Sequence, residues 1–471
     1  MPERKVNGSP EVDRVSASDE VTLATDCGPA PTNLGVALLF AAGVDLTYAT
    51  VRSTLEGRLP RVRRLRQRLV RTPPGCGRPV WVDDAGFDLA HHLSEVSLPT
   101  PPARSPDAPG DGDRRLLEVV ADLVTAPLPR HRPLWAARWV TGWAPDRAAL
   151  VLVMHHALAD GIGGLAVLAA LSDGGADPED KVFPKPPMAR GSLARAAHRD
   201  RVTAWRRLPS RVRAGRQGLS ELAGSRPPAL AARTTLNRAT GRRRRLTSVS
   251  VALAPLVDLA HRRHGTVNDI VPTAVSGAVG TVSRRRGEHL QELMVSVPIS
   301  ARRSASVGEL GNQTGVVVLP VAMEPDRNAR LDLISALSAS RRGPHRGSSS
   351  MPMGLAFRAL AALGVFRFFI DHQRLVHTFV TNVRGPTASM SFAGHDVVTV
   401  VPFAVTPGNV GVSFQVLSYA GQLVVTVVAD PDVVGEQDLL TSRLQEELAY
   451  LVCRIVDPGA SEPARRPLPA R

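Results

Sequence analysis

The sequence predicts a mixed α+β protein of two domains, and three observations support this prediction. The chain has 471 residues, which is more than one ordinary hydrophobic core accommodates. Strand-like and helix-like segments alternate through residues 34–171, and the same mixture restarts at residue 246. Between these halves lies a stretch rich in glycine, proline and arginine, which is typical of an interdomain connector. The cores should consist mainly of Val, Leu and Ala, because 43% of the residues are hydrophobic and only 4% are aromatic.

The first predicted domain spans residues 15–172 and follows a polar, disordered tail at residues 1–14. Apolar runs of strand length alternate along it with segments of helical periodicity. The expected strands are residues 34–40, 134–143 and 148–154, and the expected helices are residues 46–55, 61–70, 114–124 and 163–171. The last two strands should form a hairpin, because only a short turn separates them.

A connector at residues 173–245 leads to the second predicted domain, residues 246–456, and residues 457–471 form a disordered tail. The expected strands are residues 246–253, 293–299, 314–321, 378–383, 397–403, 410–419 and 423–429. The expected helices are residues 255–264, 267–286, 331–341 and 437–456, with a flexible loop at residues 343–353. Residues 353–370 favour an amphipathic or core helix over a membrane span, because Arg358 and Arg367 interrupt the apolar run.

The positive charge is concentrated in the connector. The formal net charge is +15, and sixteen arginines lie between Arg190 and Arg245 against only Asp200 and Glu221. Such a segment fits nucleic acid, an anionic lipid surface or an acidic ligand, or it is a solvated arginine-rich linker. Nucleic acid is the least favoured of these partners, because only Trp205 interleaves the arginines and no stacking platform is evident.

The cysteines and the N-terminus indicate a cytoplasmic protein. The three cysteines, Cys27, Cys76 and Cys453, show neither metal-ligand nor disulfide spacing, which fits a reducing compartment. Cys76 lies in a Pro/Gly turn, which favours a structural role over a nucleophilic one. Residues 1–20 lack the apolar core of a signal peptide, and no uncharged apolar run is long enough to cross a membrane.

One motif points to chemistry: the segment His155-His156-Ala157-Leu158-Ala159-Asp160-Gly161 follows directly after the apolar strand predicted at residues 148–154. A strand that ends in histidines and then turns through Asp-Gly places an imidazole at the edge of a sheet, where a substrate can reach it. Imidazole is the side chain best suited to accept a proton near neutral pH. The pattern therefore predicts a general base on a rigid platform.

A second histidine pair in the same chain serves as an internal comparison. His91 and His92 are followed by Leu93-Ser94-Glu95, without Asp-Gly, and no apolar strand precedes them. We expect a structural or surface role for this pair. Burial alone would not require the Asp-Gly turn that follows His156, which favours a functional role for the later pair.

Several further motifs resemble those of the bacterial wax ester synthases/acyl-CoA:diacylglycerol acyltransferases, within the superfamily of chloramphenicol acetyltransferase and peptide-synthetase condensation domains. Their order and spacing, across residues 14–456, make the resemblance specific. The matching segments are Arg14-Val15-Ser16-Ala17-Ser18-Asp19, Pro133-Leu134-Trp135, the His155 to Gly161 motif, Asn268-Asp269, Val297-Pro298-Ile299-Ser300-Ala301-Arg302, Gly311-Asn312-Gln313, Asn382-Val383-Arg384-Gly385-Pro386, Ser418-Tyr419 with Gly421, and Asp430-Pro431. The resemblance implies two chloramphenicol-acetyltransferase-like domains that face each other across a substrate channel.

The chain departs from the family pattern at two positions. The aromatic residue that usually follows Asp19 is missing, and Arg384 stands where the family usually has proline. Both departures bear on substrate preference or activity and leave the predicted base in place.

The chemistry that the resemblance implies assigns roles within the motif. An acyl thioester is already activated, so the protein needs to deprotonate an acceptor alcohol and hold the reactants in register. Successive side chains on a strand point to opposite faces, so His155 and His156 cannot both enter one channel. We predict that His156 is the general base and that His155 supports the fold, an assignment that the resemblance also implies.

The remaining site residues have alternative roles. Asp160 either orients the imidazole, as in a hydrolase triad, or forms a structural salt bridge with Arg302, and the salt bridge is favoured and also implied by the resemblance. Gly161 allows close approach of the backbone to a substrate. Asn268 either donates a hydrogen bond to the developing oxyanion or caps a helix, and the sequence does not separate these two roles.

The leading functional prediction is an enzyme that makes triacylglycerol from diacylglycerol and acyl-CoA. Wax ester synthesis from a long-chain alcohol and a non-catalytic lipid-binding protein of the same fold are the alternatives. Acyl-CoA is a substrate here, so we expect no cofactor and no metal, and we expect no nucleic-acid partner. The connector and residues 353–370 are candidates for peripheral docking on the inner membrane or on lipid droplets.

Overall fold

A computed structural model describes residues 12–41, 43, 45–99, 111–177, 182–206, 230–300, 310, 314–340 and 350–453 of the protein. The strands are β1 (Asn33–Phe40), β2 (Gln67–Val70), β3 (Val80–Asp83), β4 (Leu93–Ser97), β5 (Trp135–Thr141), β6 (Ala148–His155), β7 (Arg245–Ala252), β8 (Glu292–Ser300), β9 (Thr314–Ala322), β10 (Thr378–Arg384), β11 (Ser391–Phe392), β12 (His395–Ala404), β13 (Val412–Tyr419) and β14 (Gln422–Ala429). The α-helices are α1 (Ala17–Thr25), α2 (Tyr48–Arg58), α3 (Asp111–Thr125), α4 (Gly161–Leu171), α5 (Arg190–Arg206), α6 (Leu253–Arg262), α7 (Val267–Arg285), α8 (Arg327–Ser340), α9 (Ser350–Ala362), α10 (Phe366–His372) and α11 (Gln437–Cys453).

The first six-stranded sheet has the order β11-β12-β1-β6-β5-β4. Strand β6 lies in its interior, antiparallel to β1 on one side and to β5 on the other. All eight residues of β6 are buried, which explains why its sequence is a continuous apolar run rather than an alternating one. The predicted β5–β6 hairpin is confirmed.

Two strands of the first sheet come from the far end of the chain. The β11–β12 hairpin returns from the second half, and β12 pairs antiparallel with β1. Tyr419 of the second half secures this return, because its hydroxyl donates to the Val397 carbonyl at 2.8 Å and accepts from the Met390 N–H at 2.6 Å. The second half therefore contributes two strands to the sheet of the first half, which the division at residues 173–245 did not anticipate.

The second six-stranded sheet has the order β7-β14-β13-β10-β8-β9. Helix α7 packs along it and is buried over most of its length, including Ile270, Ala274 and Ala278. The terminal helix α11 packs beside α7 on the same face of this sheet and contacts β7 and β14 as well. A tight turn at Ala420 and Gly421, both with positive φ, joins β13 to β14.

Helix α3 joins the two sheets into one body. Its apolar face, including Val120 and Val124, shares a cluster of buried side chains with Val151 of the first sheet and with Leu246 and Val428 of the second. At the end of α3, the buried Asn33 amide donates to the carbonyls of two residues near the helix C-terminus, both at 3.0 Å.

The described ends of the connector are structured. Helix α5 packs Leu193 against a small buried cluster that contains Cys76 and Val80, so Cys76 has structural surroundings. Near the other end, three consecutive arginines form ion pairs within the protein: Arg243 with Asp432, Arg244 with Asp430, and Arg245 with Asp438. Part of the basic charge is therefore neutralised internally.

Three predicted elements were wrong in detail. Residues 61–70 form short 3₁₀ turns and then β2, because the buried Leu59, Val62 and Leu65 recur every three residues, a spacing that fits a 3₁₀ turn better than an α-helix. The apolar segment 353–370 is two helices, α9 and α10, separated at Gly364, whose φ is positive. Helix α9 already begins at Ser350, within the segment expected to be a loop.

None of the helices in the described part of the chain has the length and apolar character required to cross a membrane.

Candidate active site

His156 lies in the turn that follows β6, at the point where the two halves of the protein meet. Of residues 148–160, His156 alone keeps partial access to solvent, and every neighbour on either side is buried. A partly exposed histidine within an otherwise buried segment is the geometry expected of a residue that meets a substrate.

His155, by contrast, is 3% exposed and points into the first domain. Its Nδ1 accepts a hydrogen bond from the Ala157 N–H at 3.0 Å, so this nitrogen carries no proton. The proton is then on Nε2, which donates to the Asp26 carboxylate at 3.1 Å. The His155 ring is held at both nitrogens and is a structural part of the turn.

The surroundings of the His156 ring favour its neutral form. Burial lowers the pKa of His156 below its usual value of 6.5. A hydrogen bond to its own carbonyl and the nearby carboxylates of Asp160 and Asp19 act in the opposite direction but do not outweigh burial. The ring is therefore neutral near pH 7, which is the form that can accept a proton.

Asp160 caps the helix that begins at the end of the motif. It is 1% exposed, and its Oδ1 accepts from the Gly163 N–H at 2.8 Å at the N-terminus of α4. A carboxylate at this position is also stabilised by the helix dipole. Neither of the two roles considered from the sequence included this cap. The predicted salt bridge with Arg302 involves a residue outside the described ranges and stays a prediction.

Gly161 lies where the second sheet approaches the motif. A Cβ atom at this position would lie 2.9 Å from Cγ2 of Val383, near the end of β10. The glycine therefore permits close contact between the turn and the second half of the protein. The predicted role of this residue in close approach to a substrate stays a prediction.

Asn268 does not cap helix α7, so this alternative is wrong. Thr266 is the N-cap, and the Asp269 carboxylate accepts from its backbone N–H at 2.7 Å. Asn268 lies in the first turn, is exposed, and accepts a hydrogen bond through Oδ1 from Nδ2 of Asn382 at 2.6 Å. This orientation leaves the Nδ2 hydrogens of Asn268 to donate to another group.

Three residues that the sequence did not single out complete the site. Asp26 holds His155, the Thr32 carbonyl accepts from the His156 N–H at 3.0 Å, and Asn382 pairs with Asn268. Asn382 belongs to one of the segments that match the family, but the sequence indicated no role for it. Asp26 and Thr32 lie in a loop without periodicity, more than a hundred residues before the motif, so no local pattern indicated them.

The first histidine pair has the structural role expected for it. The His92 ring is buried and stacked between Phe87 and Trp135, with centroid distances of 5.3 and 4.7 Å. Its Nδ1 lies 2.8 Å from the Trp135 carbonyl. His91 is exposed on a 3₁₀ turn.

No group of three or more His, Cys, Asp or Glu side chains suited to a metal ion occurs among the residues that the structure describes.

Two family models match the chain. The model described as the wax ester synthase/diacylglycerol acyltransferase catalytic domain matches residues 15–271, and the WS/DGAT C-terminal domain matches residues 310–451. A putative diacylglycerol O-acyltransferase of Mycobacterium bovis is 30% identical over 414 residues, covering 85% of this chain and 87% of that protein. A second one, from Mycobacterium tuberculosis, is 28% identical over 415 residues, covering 85% of this chain and 86% of that protein.

Solved structures show the same fold. The wax ester synthase/diacylglycerol acyltransferase of Marinobacter aquaeolei has a TM-score of 0.65 at 19% identity, over 93% of this chain and 98% of that chain. The first condensation domain of the calcium-dependent antibiotic synthetase has a TM-score of 0.60 at 19% identity, over 96% and 98% of the two chains. The predicted fold class, mixed α+β with two chloramphenicol-acetyltransferase-like domains, is confirmed. The chain belongs to the wax ester synthase/diacylglycerol acyltransferase family and is an acyltransferase.

Proposed function

We propose that the protein is an acyl-CoA-dependent O-acyltransferase that esterifies diacylglycerol to triacylglycerol, with His156 as the general base. The strongest support is that His156 is partly exposed while all other residues of 148–160 are buried. The lowered pKa of its ring agrees with this role, because a base must be unprotonated before it acts.

The reaction requires one proton transfer and one displacement. His156 takes the proton from the acceptor hydroxyl while the hydroxyl oxygen attacks the thioester carbonyl. The tetrahedral intermediate then collapses, the carbon–sulfur bond breaks, and the CoA thiolate leaves with the proton returned by the imidazolium. Since the thioester is already activated, the step requires neither a covalent acyl-enzyme nor a cofactor, and acyl-CoA is a substrate only.

We assign proton transfer to Nε2 of His156. The residue's own backbone carbonyl favours the protonated ring, and Nδ1 is the ring nitrogen nearer to that carbonyl. The proton on Nδ1 leaves a lone pair on Nε2, which is the nitrogen farther from the backbone. His155 is excluded from this role, because both of its nitrogens have structural partners.

Asn268 is our candidate for stabilising the oxyanion. Its amide oxygen is engaged by Asn382, which orients the NH₂ group away from that partner. The side chain lies in the first turn of α7, where the helix dipole also favours negative charge. Replacing Asn268 by Ala should therefore lower kcat more than it raises KM for acyl-CoA.

Product formation with two acceptors tests the proposed function. Purified protein is incubated with labelled palmitoyl-CoA and either diacylglycerol or hexadecanol, and the His156→Ala variant is compared with the wild type. We expect triacylglycerol from the wild type and a loss of about 10²- to 10⁴-fold in the variant. His91→Ala is the matched control, because it removes an exposed histidine of the other pair.

Each other outcome has a distinct meaning. Product with hexadecanol only would replace triacylglycerol by wax esters as the product. Equal activity in wild type and His156→Ala would remove the catalytic assignment. A protein that binds acyl-CoA but forms no ester with either acceptor would support a lipid-binding role instead.

We also propose that the tip between α9 and α10 docks on an anionic lipid surface. Leu363 and Phe368 are 75% and 69% exposed, and Val365 between them is exposed as well. Arg367 lies within this group, and its Nη1 donates to the Cys27 carbonyl at 3.5 Å, next to Asp26. An apolar tip with a flanking arginine fits a membrane surface. Through Arg367, this tip contacts the loop that carries Asp26.

Flotation with liposomes of phosphatidylcholine and phosphatidylglycerol tests the docking surface. We expect the double variant Leu363→Asp, Phe368→Asp to lose most of its liposome binding. Trp205→Ser is the matched control, because Trp205 is an exposed apolar side chain at the end of α5 in the basic segment. Unchanged binding of the double variant, or a loss confined to Trp205→Ser, would contradict this docking surface.

A further inference from the structure

The Asp26 carboxylate connects two parts of the chain that flank His156. Its Oδ1 accepts from the backbone N–H and the hydroxyl of Thr32, at 3.0 and 3.2 Å. Its Oδ2 accepts from Nε2 of His155 at 3.1 Å and from the Arg130 guanidinium at 3.3 Å. One side chain therefore ties the loop at residues 26–32 to the turn after β6.

These contacts restrain His156 from both sides. The Thr32 carbonyl accepts from the His156 N–H at 3.0 Å, so the position of Thr32 sets that of His156. On the C-terminal side, Nδ1 of His155 accepts from the Ala157 N–H at 3.0 Å. Two hydrogen bonds therefore restrain the backbone around the proposed base, and Asp26 contacts the acceptor residue of each, Thr32 in one and His155 in the other.

The loop that carries Asp26 has little regular structure to define its shape. It contains Gly28, Pro29 and Pro31, and it lies between the end of α1 and the start of β1. A charged side chain that is 11% exposed loses hydration and remains there only because several donors surround it. One of these donors, His155, belongs to the motif, so the carboxylate does more than close its own loop.

We propose that Asp26 and His155 form a positioning pair that holds the His156 imidazole in its reactive orientation. The inference rests on the proposed role of His156 as the base, and it adds that the first histidine of the motif acts through a carboxylate from a distant loop. A displacement of about 1 Å at a reacting group costs on the order of 100-fold in rate, so such a pair contributes measurably without touching a substrate.

Four variants distinguish the hydrogen bond between His155 and Asp26 from the one between His155 and Ala157. Asp26→Ala removes the carboxylate, and Asp26→Asn keeps one acceptor oxygen without the charge. His155→Asn retains an acceptor near the position of Nδ1, for the Ala157 N–H, but does not reach Asp26. His155→Gln retains a donor near the position of Nε2, for Asp26, but loses the contact with Ala157.

We expect Asp26→Ala and His155→Asn each to lower kcat by about 10- to 100-fold, with KM for palmitoyl-CoA changed by less than about threefold. Asp26→Asn should fall between Asp26→Ala and the wild type. The double variant Asp26→Ala, His155→Asn should be little worse than either single variant, because both remove the same hydrogen bond.

The pH profile distinguishes positioning from a loss of folded protein. A loosened His156 ring becomes better hydrated, so the acidic limb of kcat/KM in Asp26→Ala should move to higher pH. Asp83→Ala is the matched control, because Asp83 is a buried aspartate that accepts from Arg63 and Gln67 away from the motif. That variant should lose thermal stability and keep the wild-type pH profile.

Two results would overturn the inference. One is wild-type kcat in both Asp26→Ala and His155→Asn. The other is a lowered kcat with an unshifted pH profile and fully additive effects in the double variant, which would show that Asp26 only supports folding. Full activity of His156→Ala would instead remove the proposed function itself, so the two failures are distinguishable.

Discussion

Each of the two histidine pairs of this chain has one buried and one accessible residue, but in the opposite order. In the first pair, His92 is buried and stacked while His91 is exposed on the surface. In the second pair, His155 is buried and hydrogen-bonded at both nitrogens, while His156 is partly accessible within an otherwise buried segment. The comparison shows that the element before a histidine and the turn after it decide what the ring can do.

The differences arise from neighbouring residues rather than from the histidines. An eight-residue buried strand precedes His156, and the Asp160 cap starts α4 directly after the turn. In the first pair, His91 is the last residue of a short 3₁₀ turn, and β4 follows at the sheet edge. Of the two pairs, only the second therefore lies at the end of an interior strand, at the boundary between the two halves.

The largest expected effect is on catalysis and separates the two pairs directly. His156→Ala should lower kcat by about 10²- to 10⁴-fold with little change in thermal stability, because a partly accessible base is removed. His91→Ala should leave both kcat and stability near the wild type. Initial rates with labelled palmitoyl-CoA, together with thermal melts, check both statements. A comparable loss of activity in both variants would contradict the contrast between the pairs.

The second effect is on stability. His92→Ala removes a ring stacked on two aromatic side chains and a bond to the Trp135 carbonyl, and it should lower the free energy of unfolding by about 2 kcal/mol. Urea unfolding measures this loss, and kcat per folded molecule should stay unchanged. A large drop in kcat at full stability would instead assign His92 to the site.

A smaller effect is expected at Gly161, the last residue of the motif. No equivalent Asp-Gly turn follows the first histidine pair. Gly161→Ala places a methyl group 2.9 Å from Val383, so the turn and β10 must separate slightly. We expect kcat/KM to fall about tenfold, because an increase of one kcal/mol or somewhat more in the activation free energy lowers the rate by about this factor. The double variant Gly161→Ala, Val383→Ala should recover most of the rate. If Val383→Ala gives no recovery, the contact does not explain the glycine.

Much of the fold could be predicted from local pattern. Strand β6 and helix α7 are long, buried and apolar, and their predicted bounds agree with the structure within a residue or two. The 3₁₀ turns before β2 were mistaken for a helix, because three-residue spacing of Leu and Val resembles helical periodicity over a short window. The return of β11 and β12 to the first sheet depends on long-range pairing, which no local pattern encodes.

The site was predictable only within the motif. His156 and Asp160 follow from strand, turn and helix in a single segment of sequence. Asp26 could not be identified, because it acts from a loop 129 residues earlier and its role exists only after folding. The helix cap, one of the two alternatives for Asn268, lies at Thr266, two residues earlier, where the Asp269 carboxylate accepts from the backbone N–H.

The pH dependence of kcat/KM is the most direct test that His156 is the base. Burial holds the pKa of its imidazole below 6.5, and the neutral fraction grows as pH rises through that pKa. The wild type should therefore gain activity with increasing pH, with a midpoint below 6.5 and a plateau near neutrality, while the residual activity of His156→Ala should be flat over the same range. The same sigmoidal rise in His156→Ala as in the wild type would contradict the assignment.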